Sequence, residues 1–238
     1  MLMQGITYNT MMAMVVGTIM LLAVFYARTV SVSGDRNTGG WGWAFIATGF
    51  FLGASGLHMM LTWPLDQIDG AFCCSVDNIT FGEPAAFYGV LAFVAGLIIV
   101  LGQKRLDTGV QKDTTPVPAP QSSIMSTLRP VLIVGAIGGF GIILFGLAGM
   151  HFGQWRPPEV EPVARLLAGS LIEPFLVMML YVGTGVSAIV SPFIGQNKAV
   201  GRIWAFGTLL VGLVWILLSF TLFYSHVGFF PQPDGSYK

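Results

Sequence analysis

Six long apolar runs, parted by short polar segments, set the pattern of the chain: about 11–28, 42–62, 85–102, 130–150, 171–192 and 203–226. Each is close to the ~20 residues a helix needs to cross the hydrocarbon core of a bilayer. Lipid offers no partners for a backbone amide, so each crossing segment must satisfy its own N–H and C=O groups, which predicts helices rather than strands. The expected fold class is therefore all-α: one domain over 1–238, a polytopic membrane protein with six transmembrane helices in the cell membrane. The first run lacks a basic leader and a small-x-small cleavage pattern, so it reads as a span and not as a removable signal. Residues 103–128 connect the third and fourth runs. Their Pro-, Ser- and Thr-rich stretch "LDTGVQKDTTPVPAPQSSIMST" predicts an extended linker between two three-span halves.

Composition narrows the class further. Hydrophobic residues make up 54% of the chain and charged ones 9%, against roughly 25% charged in soluble domains. Arg28, Arg36, Lys104, Arg105, Lys112, Arg129, Lys198 and Arg202 fall on one side of the expected spans. Only Arg156, Arg165 and Lys238 fall on the other. Basic loops stay in the cytoplasm, so this asymmetry predicts both termini outside. The net charge is zero, which argues against nucleic acid as a partner, since neutralising phosphates requires a cationic surface. The partners expected are the lipid bilayer and either other membrane subunits or further copies of the chain. Cys73 and Cys74 are adjacent and poorly placed to bridge each other. They read as two thiols, with an intermolecular bridge or a metal as the other readings.

Internal similarity comes next. The second run ends "GASGLHMMLTWP" and the fourth "GLAGMHFGQWRPP"; both read Gly-x-x-Gly-(Leu/Met)-His, followed by Trp and Pro. The sixth ends "YSHVGFFP", with Phe230 in the Trp position. The runs that follow match as well. "NITFGEPAAFYG" and "GSLIEPFLVMM" carry Glu83-Pro84 and Glu173-Pro174, and "GITYNTMMAMVVG" has Thr10 where Glu83 stands. Proline is tolerated in a first turn and a carboxylate there meets the positive pole of the helix, so both Glu-Pro pairs predict helix starts. Three related hairpins follow: span 2 with 3, 4 with 5, and 6 with 1. The pairs Gly53/Gly56 and Gly146/Gly149 predict small-residue faces that let helices approach closely.

The segments "YNTMMA", "GLHMMLTWPL" and "DNITFGEP" resemble a small bacterial and archaeal integral membrane family catalogued only as a domain of unknown function. That resemblance covers mainly spans 1 to 3. It implies a compact multi-span protein and supplies no activity.

Candidate chemistry rests on the residues themselves. His58, Glu83, His151, Glu173 and His226 are expected at one depth, near the outer boundary, and ionisable groups at such positions are functional candidates. Three imidazoles and two carboxylates suit a transition metal, copper or iron, with zinc also compatible. Met11, Met12, Met59, Met60 and Met150 would favour Cu(I) if they reached the site, and otherwise read as packing. Trp63 and Trp155 read as interfacial anchors, with capping of the site as the other role. Two of the histidines holding a b-type haem is the alternative. A further reading pairs Ser55 with His58 in a hydrolase. The functions these readings support are an oxidoreductase or the metal-bearing subunit of one, a non-catalytic accessory subunit of a respiratory or oxygenase complex, and, last, a transporter.

Overall fold

The computed structural model describes residues 2–33, 38–66, 75–110, 121–155 and 170–227. The chain forms helices α1 (Leu2–Arg28), α2 (Gly39–Asp66), α3 (Ser75–Val110), α4 (Gln121–His151), α5 (Ile172–Val190) and α6 (Lys198–Val227). A π-helical turn, Thr29–Ser33, follows α1, and a 3₁₀ turn, Ser191–Phe193, follows α5. All six helices contain a stretch long and apolar enough to cross a membrane, so the protein is an all-α, multi-pass membrane protein. The helices outrun their apolar cores. Residues 103–110 and 121–128, expected as extended linker, continue α3 and α4 as helix; residues 111–120 lie outside those described.

The tightest packings join α2 to α3, α4 to α5, and α6 to α1. These are the three hairpins expected from the sequence. Lipid tails are as apolar as leucine, so helices in a bilayer associate through close van der Waals contact. Glycine supplies that contact here. Gly42, Gly49 and Gly56 recur every seventh residue on α2 and face Gly96, Gly89 and Gly82, spaced alike on α3. A Cβ on Gly42 would lie 2.9 Å from Gly96 O; on Gly49, 2.8 Å from Gly89 O; on Gly56, 2.7 Å from Gly82 O. The other hairpins close in the same way. A Cβ on Gly139 of α4 would lie 2.7 Å from Gly185 O of α5, and one on Gly17 of α1 would lie 2.5 Å from Gly212 O of α6. The Gly53/Gly56 face behaves as expected, meeting Gly89, Gly82 and Ala86.

Prolines and turns are accommodated by specific partners. α3 begins at Ser75, so Pro84 stands inside the helix and not at its start. A proline there has no N–H for the carbonyl four residues earlier. That carbonyl, Thr80 O, accepts instead from the Tyr181 hydroxyl of α5 at 3.0 Å. Glu173-Pro174 does open α5, in its first turn. α4 ends in a Schellman turn: Gly153 N donates to Met150 O, Gln154 N donates to Gly149 O, and Gly153 adopts φ 70°, where glycine carries no steric penalty. At the opposite end of the bundle, the Thr38 N–H and hydroxyl both donate to Gln103 Oε1, at 3.2 and 3.1 Å, fastening the start of α2 to α3. Asn197 Oδ1 caps α6 by accepting from Ala199 N. Large apolar side chains such as Trp43, Phe50, Ile137, Phe140, Ile203 and Phe206 point outward, a surface suited to acyl chains.

Candidate functional site

The packing register carries the outer-end residues to their levels. Gly56 rests on Gly82 and Ala86, so His58 and Glu83 lie within about a turn of one another on neighbouring helices. Gly146 rests on Met178 and Tyr181, which puts His151, beyond it on α4, level with Glu173 near the start of α5. Within each of these two hairpins the histidine and the glutamate therefore share a level. Convergence is a separate matter: His58, Glu83 and His151 are exposed and Glu173 is half-buried. Among the described residues, no three His, Cys, Asp or Glu side chains stand close enough to share a metal ion. The backbone of His226 lies in the last turn of α6 and that of Trp63 in α2, but both side chains are outside the described residues, as are Cys73 and Cys74. Ser55, three residues before His58 on α2, is buried while His58 is exposed.

Trp155 turns into the bundle and not outward. After the Schellman turn the chain folds back, and the indole lies on Gly149, where any Cβ would collide with the ring. Its Nε1 donates to Gly146 O at 2.9 Å. It is 6% exposed and packs on Tyr181, ring centroids 4.8 Å apart, and on Phe81 at 6.3 Å. The expected anchor is thus part of the core, and the Gly146/Gly149 face receives an indole as well as a helix. Met12 and Met59 are buried packing residues, in line with the packing reading.

The larger feature lies on the bundle axis. A cavity of about 210 Å³ is lined from all six helices, by Tyr26, Phe45, Ile99, Leu128, Ser187 and Trp204 among others. These six lie toward the end of the bundle that carries the exposed cations Arg28, Lys104, Arg129, Lys198 and Arg202. None of the described lining residues is Asp, Glu, His, Lys or Arg. The cavity shares Val16, Tyr88 and Thr184 with a second one of about 60 Å³, which reaches Phe81, Tyr181 and Trp215 nearer the other end. The hollow arises because glycine draws helices together within hairpins, while packing between hairpins is looser.

Most polar groups on the cavity wall are spoken for. Tyr88 OH donates to Gly135 O at 2.7 Å and Trp204 Nε1 to Ser187 O at 2.9 Å. Thr184 Oγ1 and Ser187 Oγ each donate to the carbonyl four residues earlier, and Ser191 Oγ donates to Ala188 O. Two groups differ. Tyr26 OH and Thr208 Oγ1 are buried with no hydrogen-bond partner. Neither stood out in the sequence, because each is one of several polar residues scattered along a long apolar helix and only the assembled bundle puts both on one cavity.

A family model described as "Protein of unknown function (DUF981)" matches residues 3–228. No curated protein and no solved structure matches the chain.

Proposed function

The chain belongs to that family, DUF981, which brings no activity with it, and from the geometry we propose that it is an intramembrane binding protein for a small lipophilic molecule. One observation carries the reading: an apolar cavity of about 210 Å³ lined by residues of all six helices. Glycine-bearing bundles close readily, so an axial void this size is costly to leave dry, because its walls lose contacts on one side. A single water needs only about 10–15 Å³, with two to four polar partners. This void is far larger and offers few. An apolar guest restores the missing contacts. With the basic end in the cytoplasm, the cavity lies in the inner half of the membrane.

Benzene titrated into the nanodisc-embedded protein tests this. Saturable stabilisation is expected, and it should disappear in Ala95→Phe, which fills the cavity from α3. Identical, non-saturating responses from both proteins would refute the reading.

A second reading is a metal-bearing oxidoreductase, or such a subunit of a membrane complex, with His58, Glu83, His151, Glu173 and His226 as ligands. The shared level of His58 with Glu83 and of His151 with Glu173 supports it. It requires the hairpin ends to draw together around His226, and copper or iron retained in proportion to protein and lost in His151→Ala would establish it. An optical spectrum of the same sample separates these metals from haem b.

A further inference from the structure

We propose that the Tyr26 and Thr208 hydroxyls form the polar anchor of the axial cavity, and that the guest is an uncharged lipophile carrying one hydrogen-bonding oxygen, a hydroxyl or a carbonyl. The inference rests on the cavity-binding reading above and narrows it to a ligand class.

The argument starts from what a buried hydroxyl normally does. In a helix, Thr and Ser settle their hydroxyl on the carbonyl of the preceding turn. Thr18, Thr48, Thr184 and Ser187 all do so here. Thr208, 3% exposed on α6, does not; its Oγ1 has no hydrogen-bond partner. Tyr26, 5% exposed on α1, is in the same position, with its ring edge-to-face on Phe45 and its oxygen unbonded. Tyr88, on the same wall, has its acceptor in Gly135 O. Buried polar groups are nearly always satisfied, so an exception calls for a partner from outside the fold. Tyr26 and Thr208 line one cavity and come from the paired helices α1 and α6.

The chemistry of the guest follows from the donors and from what is missing. A phenol O–H donates and an aliphatic hydroxyl donates or accepts, so a carbonyl or hydroxyl oxygen satisfies the pair. A carboxylate or ammonium would have no counter-charge among the described lining residues, and burying an unpaired charge is far costlier than burying a hydrogen-bonded neutral group. The remaining wall is apolar and accepts a ring or a short chain.

The experiment uses the full chain in nanodiscs and three probes of one length: 6-bromohexan-1-ol, 1-bromohexane and 6-bromohexanoate. Bromine quenches nearby indoles, and Trp204 lines the cavity. The saturable quenching lost in Trp204→Phe reports cavity occupancy. Outward-facing Trp43, 63% exposed, reports partition into lipid. The alcohol should bind on the order of tenfold more tightly than the bromoalkane. The Tyr26→Phe/Thr208→Val protein should lose that advantage while binding the bromoalkane as before, which also shows that its cavity is intact. Equal binding of alcohol and alkane, unchanged by the double substitution, would overturn the anchor and leave the cavity reading standing. Carboxylate binding as tight as the alcohol would overturn the neutral class. Absence of any saturable quenching would sink both inferences.

Discussion

Replacing Gly96 by alanine tests the physical basis of the whole bundle. The added Cβ would lie 2.6 Å from Gly42 O and 2.7 Å from Ile46 N. Both are backbone atoms of α2 and cannot swing aside. Ordinary contact begins near 3.4 Å, so the two helices must part by roughly 0.8 Å at this level. A gap of about 0.5–1 Å forfeits a quarter to a half of the attraction between the surfaces it separates. Overpacking of this kind costs about 1–3 kcal/mol, while alanine's better helix propensity offsets about 0.8–1 kcal/mol of it. Gly141→Ala isolates the steric part: it makes the same exchange in α4, where an added Cβ meets nothing within 4 Å. The two variants should differ by about 1–3 kcal/mol, with Gly96→Ala the less stable. Reversible unfolding in mixed micelles, followed by far-UV circular dichroism, measures both. If they agree to within about 0.5 kcal/mol, a margin typical of independent surface changes, close glycine packing does not hold α2 to α3.

Further outcomes follow from single groups. Tyr181→Phe should destabilise by about 1–3 kcal/mol, because Thr80 O, to which Pro84 offers no N–H, loses the phenol. Pro84→Ala, which restores the N–H, should shrink that loss in a double-mutant cycle. Tyr26→Phe should do the opposite in ligand-free protein: an unpartnered buried hydroxyl is removed, and thermal unfolding should show equal or greater stability, by up to about 1–3 kcal/mol. Gly153→Ala forces a Cβ into left-handed backbone and should cost about 1–2 kcal/mol, visible as a lower midpoint together with greater exposure of Trp155 to aqueous quenchers. Cysteines placed singly at Asn197 and at Ser170 should label from opposite faces of sealed cells, Asn197 from the cytoplasm only.

The helices themselves were legible in the sequence, because lipid imposes a local rule: each span must be apolar and hydrogen-bonded within itself. The hairpin pairing was legible too, through the repeated His and Glu-Pro segments, and so was the glycine contact, though only in part. Gly53 and Gly56 stood out at close spacing, whereas the seventh-residue series Gly42, Gly49, Gly56 facing Gly82, Gly89, Gly96 acquires meaning only when α2 lies antiparallel on α3. Tertiary structure decided the rest. Glu83-Pro84 reads locally as a helix start, yet α3 carries it inside, since Tyr181 from another helix supplies Thr80 O with a donor. Trp155 reads as a boundary anchor until a left-handed glycine turns it back into the core. His58 is level with Glu83 and His151 with Glu173, yet His58, Glu83 and His151 remain exposed, because the rise along a helix sets depth while rotation and packing set facing. Tyr26 and Thr208 lie 182 positions apart, and no local pattern marks them. What joins them is the space left between three glycine-closed hairpins, a property of the assembled helices and of no single segment.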